Sequence, residues 1–167
     1  MLKEAGYDDQ HPVPTITILY NTNEMHKALA EAMQAVWHDT LGIDVQLQNQ
    51  ESKVFLASRQ EGKYQVARAS WVADFADPQN FLEVFSADDN DSQYHDPVYN
   101  ALIKQIRNEG DVAKREALMH QAEAMILDQA LVIPIYYTTE PYVASPDLHD
   151  YFITNMGLID FSHAYRE

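Results

Sequence analysis

Two changes of apolar period within the first fifty residues constrain the fold more than any other feature of the chain. Residues 15–20, Thr-Ile-Thr-Ile-Leu-Tyr, alternate with β-branched enrichment behind two prolines, as a strand does. From Glu24 the period lengthens: Met25, Leu29, Met33, Val36 and Leu41 recur at helical spacing, with Asn23 placed to cap the start and Gly42 to end the helix. Period two returns at residues 43–48. A strand, a long helix and a second strand pack most simply as a crossover between parallel neighbours, so the pattern predicts an α/β sandwich with a sheet that is at least partly parallel.

The rest of the chain continues the alternation. Ser52 is placed to cap a short helix carrying Val54, Phe55 and Leu56 that stops at Gly62. Residues 64–73 are apolar or small on both parities apart from Gln65, Arg68 and Ser70, the profile of a central strand covered on both faces. Asp77-Pro78 and Asp96-Pro97 each read as a helix start with aspartate as cap, the second ahead of Val98, Leu102 and Ile106. A further helix is expected over about residues 111–129, with Leu118, Ala122, Met125 and Ile126 on one side. Residues 132–137 then read as a strand that Pro134 confines to an edge or a bulge. The tail from Ser145 is polar and aromatic without a period.

Charge and composition narrow the function. The 167 residues hold 11 Lys+Arg against 26 Asp+Glu, a net charge of −15, and a surface of that sign repels phosphate backbones and anionic headgroups, so no nucleic acid is expected as partner. Hydrophobic residues make up 46% and are spread along the chain, as a packed interior requires. No stretch reaches the ~20 apolar residues that span a bilayer. The first seven residues lack the zones of a secretory signal, so either the protein is cytoplasmic or its true N-terminus lies upstream. Without cysteine there is no disulfide, thiolate catalysis or Cys-ligated zinc, in either redox compartment. His26, His38 and His120 fall on expected helices, with no two at the i, i+4 spacing of a zinc helix. Residues 88–93 begin like a calcium loop but carry Gln93 for the turn glycine and reach Tyr99 where the bidentate glutamate belongs, so a solvated loop is expected. Neither a glycine-rich phosphate loop nor a nucleophile elbow is present, which favours a binding module that needs no metal or cofactor over an enzyme.

Arg68 is the most informative residue, because a guanidinium inside a buried strand requires an anion. One reading is an internal salt bridge. The other follows from the rule that open α/β sheets bind ligands beyond the carboxyl ends of their strands, where Arg68 and then Asp74 lie. If the strand runs to Ala73, six residues separate the two, about 20 Å of extended chain, which suits a zwitterion longer than one amino acid. Arg59 on the short helix is a candidate second cation, and His26, in the first turn of the long helix, is placed to reach the same edge.

These residues resemble the C-terminal lobe of the periplasmic oligopeptide-binding proteins that feed ABC importers. The likeness runs through Leu19-Tyr20-Asn21-Thr22, His26-Lys27, Leu41-Gly42-Ile43, Asn49-Gln50-Glu51, Val66-Ala67-Arg68-Ala69, Trp71-Val72-Ala73-Asp74, Pro78-Gln79-Asn80-Phe81-Leu82 and Ile133-Pro134-Ile135-Tyr136-Tyr137. It implies an α/β fold that is one lobe of a two-lobed binding protein, a mixed sheet flanked by helices. Residues 1–140 would form an incomplete ligand-binding lobe and residues 141–167 a hinge-crossing tail returning to a missing N-terminal lobe. By the same resemblance Asp74 matches the aspartate that receives a peptide's α-ammonium. Arg68, Arg59 and His26 match groups that receive its C-terminal carboxylate, and Ala69, Ser70, Trp71 and Val72 match the segment that pairs with the peptide backbone. Ser52 stands where close relatives carry a tryptophan that lines a side-chain pocket. The resemblance implies a monomeric, non-enzymatic, periplasmic receptor for short peptides that delivers them to membrane importer subunits. Murein-peptide and dipeptide receptors share the scaffold, so a cell-wall peptide or a non-peptide solute is an alternative ligand. The alternative of another class is a peptidase or metal-dependent hydrolase built on Asp74 and a histidine.

Overall fold

The structure is a computed structural model that describes residues 2–8, 10–88, 90–154 and 156–167. The chain divides into two compact units, Met1–Ser70 with Asp89–Gln93, and Trp71–Asp88 with Tyr94–Glu167.

The first unit is built on three parallel strands in the order β2-β1-β3: β1 (Ile16–Asn21), β2 (Val45–Gln50) and β3 (Val66–Ala67). Helix α1 (Glu24–Leu41) joins β1 to β2, and α2 (Ser52–Gln60) follows β2. The long helix starts and stops where its sequence says it should. Asn23 accepts the amides of Met25 and His26, and Gly42 closes the helix at φ +67°, a conformation that costs glycine little. Ile43 then donates its N–H to the Trp37 carbonyl at 3.4 Å, so it is spent on the cap, and β2 begins at Val45 rather than at residue 43.

The central strand is β1, not the segment at 64–73. Ile18, Leu19 and Tyr20 are consecutive and all buried, which requires cover on both faces of the sheet. One face packs Ile18, Tyr20, Ala30, Ile43 and Val45 together. The expected long strand at 64–73 shrinks to Val66–Ala67 at the sheet edge, where Val66 pairs with Ile18 and Ala67 with Leu19. Beyond it the chain leaves the sheet, and Trp71 and Val72 are exposed. The α2 cap is Glu51, which accepts the Lys53 amide at 2.9 Å, rather than Ser52. Of that helix's apolar trio Phe55 alone is buried; Val54 and Leu56 face solvent.

The second unit is built on three helices, α3 (Gln79–Glu83), α4 (Pro97–Asn108) and α5 (Val112–Asp128), ahead of the tail. Leu82, Tyr99, Leu102, Ile103, Ile106, Ala122 and Ile126 form its core. Asp96 caps α4 ahead of Pro97 as expected and Asp111 caps α5, whereas α3 has Pro78 itself at its cap position, with Asp77 before it accepting the Gln79 amide at 2.8 Å. Val98 is exposed, because the buried α4 stripe begins one residue later at Tyr99.

One expectation for the C-terminal part fails. Residues 132–137 form no strand, and Ile133, Ile135, Tyr136 and Tyr137 are exposed. Among the described residues the tail carries four two-residue strands, β4 (Leu148–His149), β5 (Phe152–Ile153), β6 (Ile159–Asp160) and β7 (Tyr165–Arg166). These pair antiparallel as β4 with β7 and β5 with β6. His149 and Tyr165, a cross-strand pair, sit 5.3 Å apart ring to ring.

Candidate functional site

Parallel strands end together, so the C-terminal edge of the β2-β1-β3 sheet gathers the residues that follow each strand. Asn21 and Gln50 are register partners at the ends of β1 and β2. Thr22 donates its amide to the Gln50 carbonyl at 2.9 Å and its hydroxyl to Asn49 Oδ1 at 2.9 Å. Asn21 Nδ2 reaches Ser52 Oγ at 3.5 Å. Arg68 follows β3 directly, its amide bonded to the Leu19 carbonyl at 2.8 Å, and its side chain is half-buried rather than enclosed in a strand interior.

His26 joins this edge from the first turn of α1. Its pKa is held below the usual 6.5, by burial first and then by the positive charge of Arg68, with the Asn21 backbone opposing them. Asn21 Oδ1, His26 Nδ1 and Gln50 Oε1 are buried there without a hydrogen-bond partner. Three orphaned polar atoms at one sheet edge are costly unless something else meets them. The fold thus brings Arg68 and His26 together, as the sequence predicted, and adds Asn21 and Gln50, which it did not. Their positions as the last residues of adjacent parallel strands were the available signal.

Arg59 is committed to a partner. Its Nη2 lies 2.6 Å from Asp91 Oδ2, its guanidinium sits 5.6 Å above the Phe55 ring, and its side chain is 18% exposed. The 88–93 segment is therefore not simply a solvated loop, although Asp89 lies outside the described residues. Asn90 is buried, Tyr64 donates its hydroxyl to the Asp91 carbonyl, and Gln93 Nε2 donates to the Gln60 carbonyl at 3.0 Å. Asp91 and Gln93 tie this loop to the end of α2.

Asp74 belongs to the second unit. It is exposed, and its surroundings are organised by Asn80, which is 3% exposed. Asn80 Oδ1 accepts both the Trp71 indole N–H at 2.8 Å and the Asp74 amide at 2.9 Å, while Asn80 Nδ2 points to Asp74 Oδ2 at 3.5 Å and Glu83 Oε1 at 3.3 Å. Glu83 is fixed in turn by Arg107 at 2.8 Å and by Gln79 at 3.0 Å. Burial pushes its carboxyl up, and the bonds from Gln79, Arg107 and Asn80 outweigh burial and hold it below the ordinary glutamate value. Asp77 is paired with both Arg115 nitrogens at 3.0 Å, and the Arg115 hydrogen bond holds its carboxyl low. Residues 69–72 lie outside any helix or strand, and all four are exposed.

Comparison with known proteins agrees with the resemblance drawn from the residues. Residues 1–93 match the model of the bacterial extracellular solute-binding proteins, family 5 Middle. Over 167 residues the chain is 35% identical to the oligopeptide-binding protein OppA of Bacillus subtilis, covering 98% of this chain and 31% of the relative. It superposes on the Escherichia coli murein tripeptide binding protein MppA with TM-score 0.80 at 39% identity, over 90% of this chain and 30% of that one. The Haemophilus influenzae OppA complex with RPPGFSPFR matches with TM-score 0.78 at 34% identity, over 89% of this chain and 29% of that one. The chain spans about three tenths of the length of the curated relatives it matches. Its fold is the α/β fold of part of these periplasmic binding proteins, and the chain belongs to the family 5 bacterial extracellular solute-binding proteins.

Proposed function

We propose that this chain is part of the substrate-binding component of a peptide ABC importer, a periplasmic, non-enzymatic, monomeric receptor that holds short peptides by their charged ends. Arg68 and His26 receive the C-terminal carboxylate, with Arg59, once it shares or exchanges its bond to Asp91, taking that role for peptides of another length. Asp74 receives the α-ammonium, and residues 69–72 pair with the peptide backbone. In the full-length protein residues 1–140 belong to the ligand-binding lobe, and residues 141–167 lead back toward the rest of the chain. Peptide docking favours a closed state that the membrane subunits recognise.

The observation that carries this reading is the grouping at one sheet edge of Arg68 and His26 with the unpartnered atoms of Asn21, His26 and Gln50. A carboxylate accepts from cations, and waters around it donate to orphaned carbonyl oxygens, so a hydrated peptide end meets all of them. The 39% identity to the murein tripeptide binding protein favours a cell-wall peptide as a second reading of the same site. The test is calorimetry on the full-length protein. Asp74→Asn should weaken peptides with a free N-terminus by roughly 1.5–3 kcal/mol, the range for hydrogen bonds to charged groups. Equal affinity of the unsubstituted protein for free and N-acetylated peptides would remove Asp74 from the site.

A further inference from the structure

We infer that Asn80 is the positioning residue for amine recognition: its single side-chain oxygen, by accepting both the Trp71 indole N–H and the Asp74 amide, fixes where the Asp74 carboxylate is presented. This inference rests on Asp74 being the ammonium receptor and goes on to say what makes it selective.

Residues 71–73 carry no helix or strand to hold them, Trp71 and Asp74 are exposed, and an exposed aspartate on unsupported backbone samples many rotamers. Selective recognition of an ammonium by one carboxylate needs that carboxylate fixed in place before the ligand arrives. Asn80 supplies the fixing point. It sits in α3, which packs on α4 and α5, and it is 3% exposed, so its amide cannot turn to solvent. Its Oδ1 lies 2.8 Å from Trp71 Nε1 and 2.9 Å from the Asp74 nitrogen, and its Nδ2 lies 3.5 Å from Asp74 Oδ2. The amide is kept from flipping by Glu83, whose Oε1 faces Nδ2 at 3.3 Å and which is itself held by Arg107 and Gln79. The chain of support runs from Arg107 through Glu83 to Asn80 and on to the backbone of Asp74. Asn80 does not touch the ligand in this scheme.

The experiment uses the full-length protein with trialanine and N-acetyl-trialanine as probes. The unsubstituted protein should prefer the free amine, Asn80→Ala should cut that preference roughly tenfold, and affinity for the acetylated probe should change far less. Asn80→Ser keeps a shorter oxygen acceptor without adding a third carboxylate beside Asp74 and Glu83, and should retain part of the preference. A folding-only role predicts instead that Asn80→Ala weakens both probes equally, which overturns the inference. The Trp71 indole N–H resonance gives a second readout: in Asn80→Ala it should shift and exchange faster while that of Trp37 stays. Should the alanine variant not fold, the serine variant decides, with a fall confined to the free-amine probe in support and equal weakening of both probes, or none, against. If the unsubstituted protein shows no preference, the ammonium reading of Asp74 has failed and this inference falls with it. If it shows one that Asn80→Ala leaves intact, only the positioning role has failed.

Discussion

The His26 imidazole sits within reach of the Arg68 charge at the C-terminal edge of the sheet, and burial together with that charge holds its pKa below 6.5. A basic group whose pKa is lower in the folded state costs stability on acidification. Above both values nothing is lost. As pH falls through 6.5 the unfolded chain takes up a proton that the folded chain does not, so stability drops until the lower folded value is reached. Urea unfolding at steps between about pH 7.5 and 5 should show this loss, and His26→Gln should remove its share of the slope. A pH dependence identical in the variant would mean that His26 titrates as it does in an unfolded chain.

The same pair makes a prediction for binding. A carboxylate arriving beside Arg68 and His26 offsets the guanidinium's repulsion and raises the imidazole pKa, so binding near pH 6 should take up protons. Calorimetry in buffers of different ionisation enthalpy should give an uptake that disappears in His26→Gln and is smaller for C-amidated peptides. No buffer dependence would place the carboxylate elsewhere.

The helical unit has its own test. Tyr99 is fully buried, stands edge-on to Tyr94 with centroids 5.5 Å apart, and donates its hydroxyl to the Leu82 carbonyl at 2.8 Å. Burial pushes its phenol well above the ordinary tyrosine value, so it stays a neutral donor at any pH the protein survives. Tyr99→Phe keeps the ring and removes one of two bonds to the Leu82 carbonyl, which still accepts the Phe85 amide at 3.2 Å, and should cost about 0.5–1.5 kcal/mol by denaturant unfolding. A loss below about 0.5 kcal/mol would show that water replaces the bond.

What was legible in the sequence followed from local chemistry. Asn23, Gly42, Asp96 and Asp111 work within a turn of themselves, so their helix ends could be read directly. The strand at 64–73 could not, because its small and apolar residues fit a two-sided strand while its fate is decided by Asn80, which recruits the Trp71 indole and the Asp74 amide onto α3. The two-residue strands of the tail are too short to show a period and are set by pairing across the chain. At the site, Arg68 and His26 were readable because a cation and a helix-start histidine follow adjacent strands. The pairing of Arg59 with Asp91, 32 positions away in sequence by 91 − 59, carries no local signal.

In the proposed receptor the charge at Arg68 receives a peptide's terminal carboxylate. The most direct test is titration of full-length protein and its Arg68→Met variant with di- to pentapeptides ending in carboxylate or in carboxamide. The account predicts, for at least one length, a loss of roughly tenfold or more confined to the carboxylate form. Equal loss for both forms at every length, or none, would contradict it.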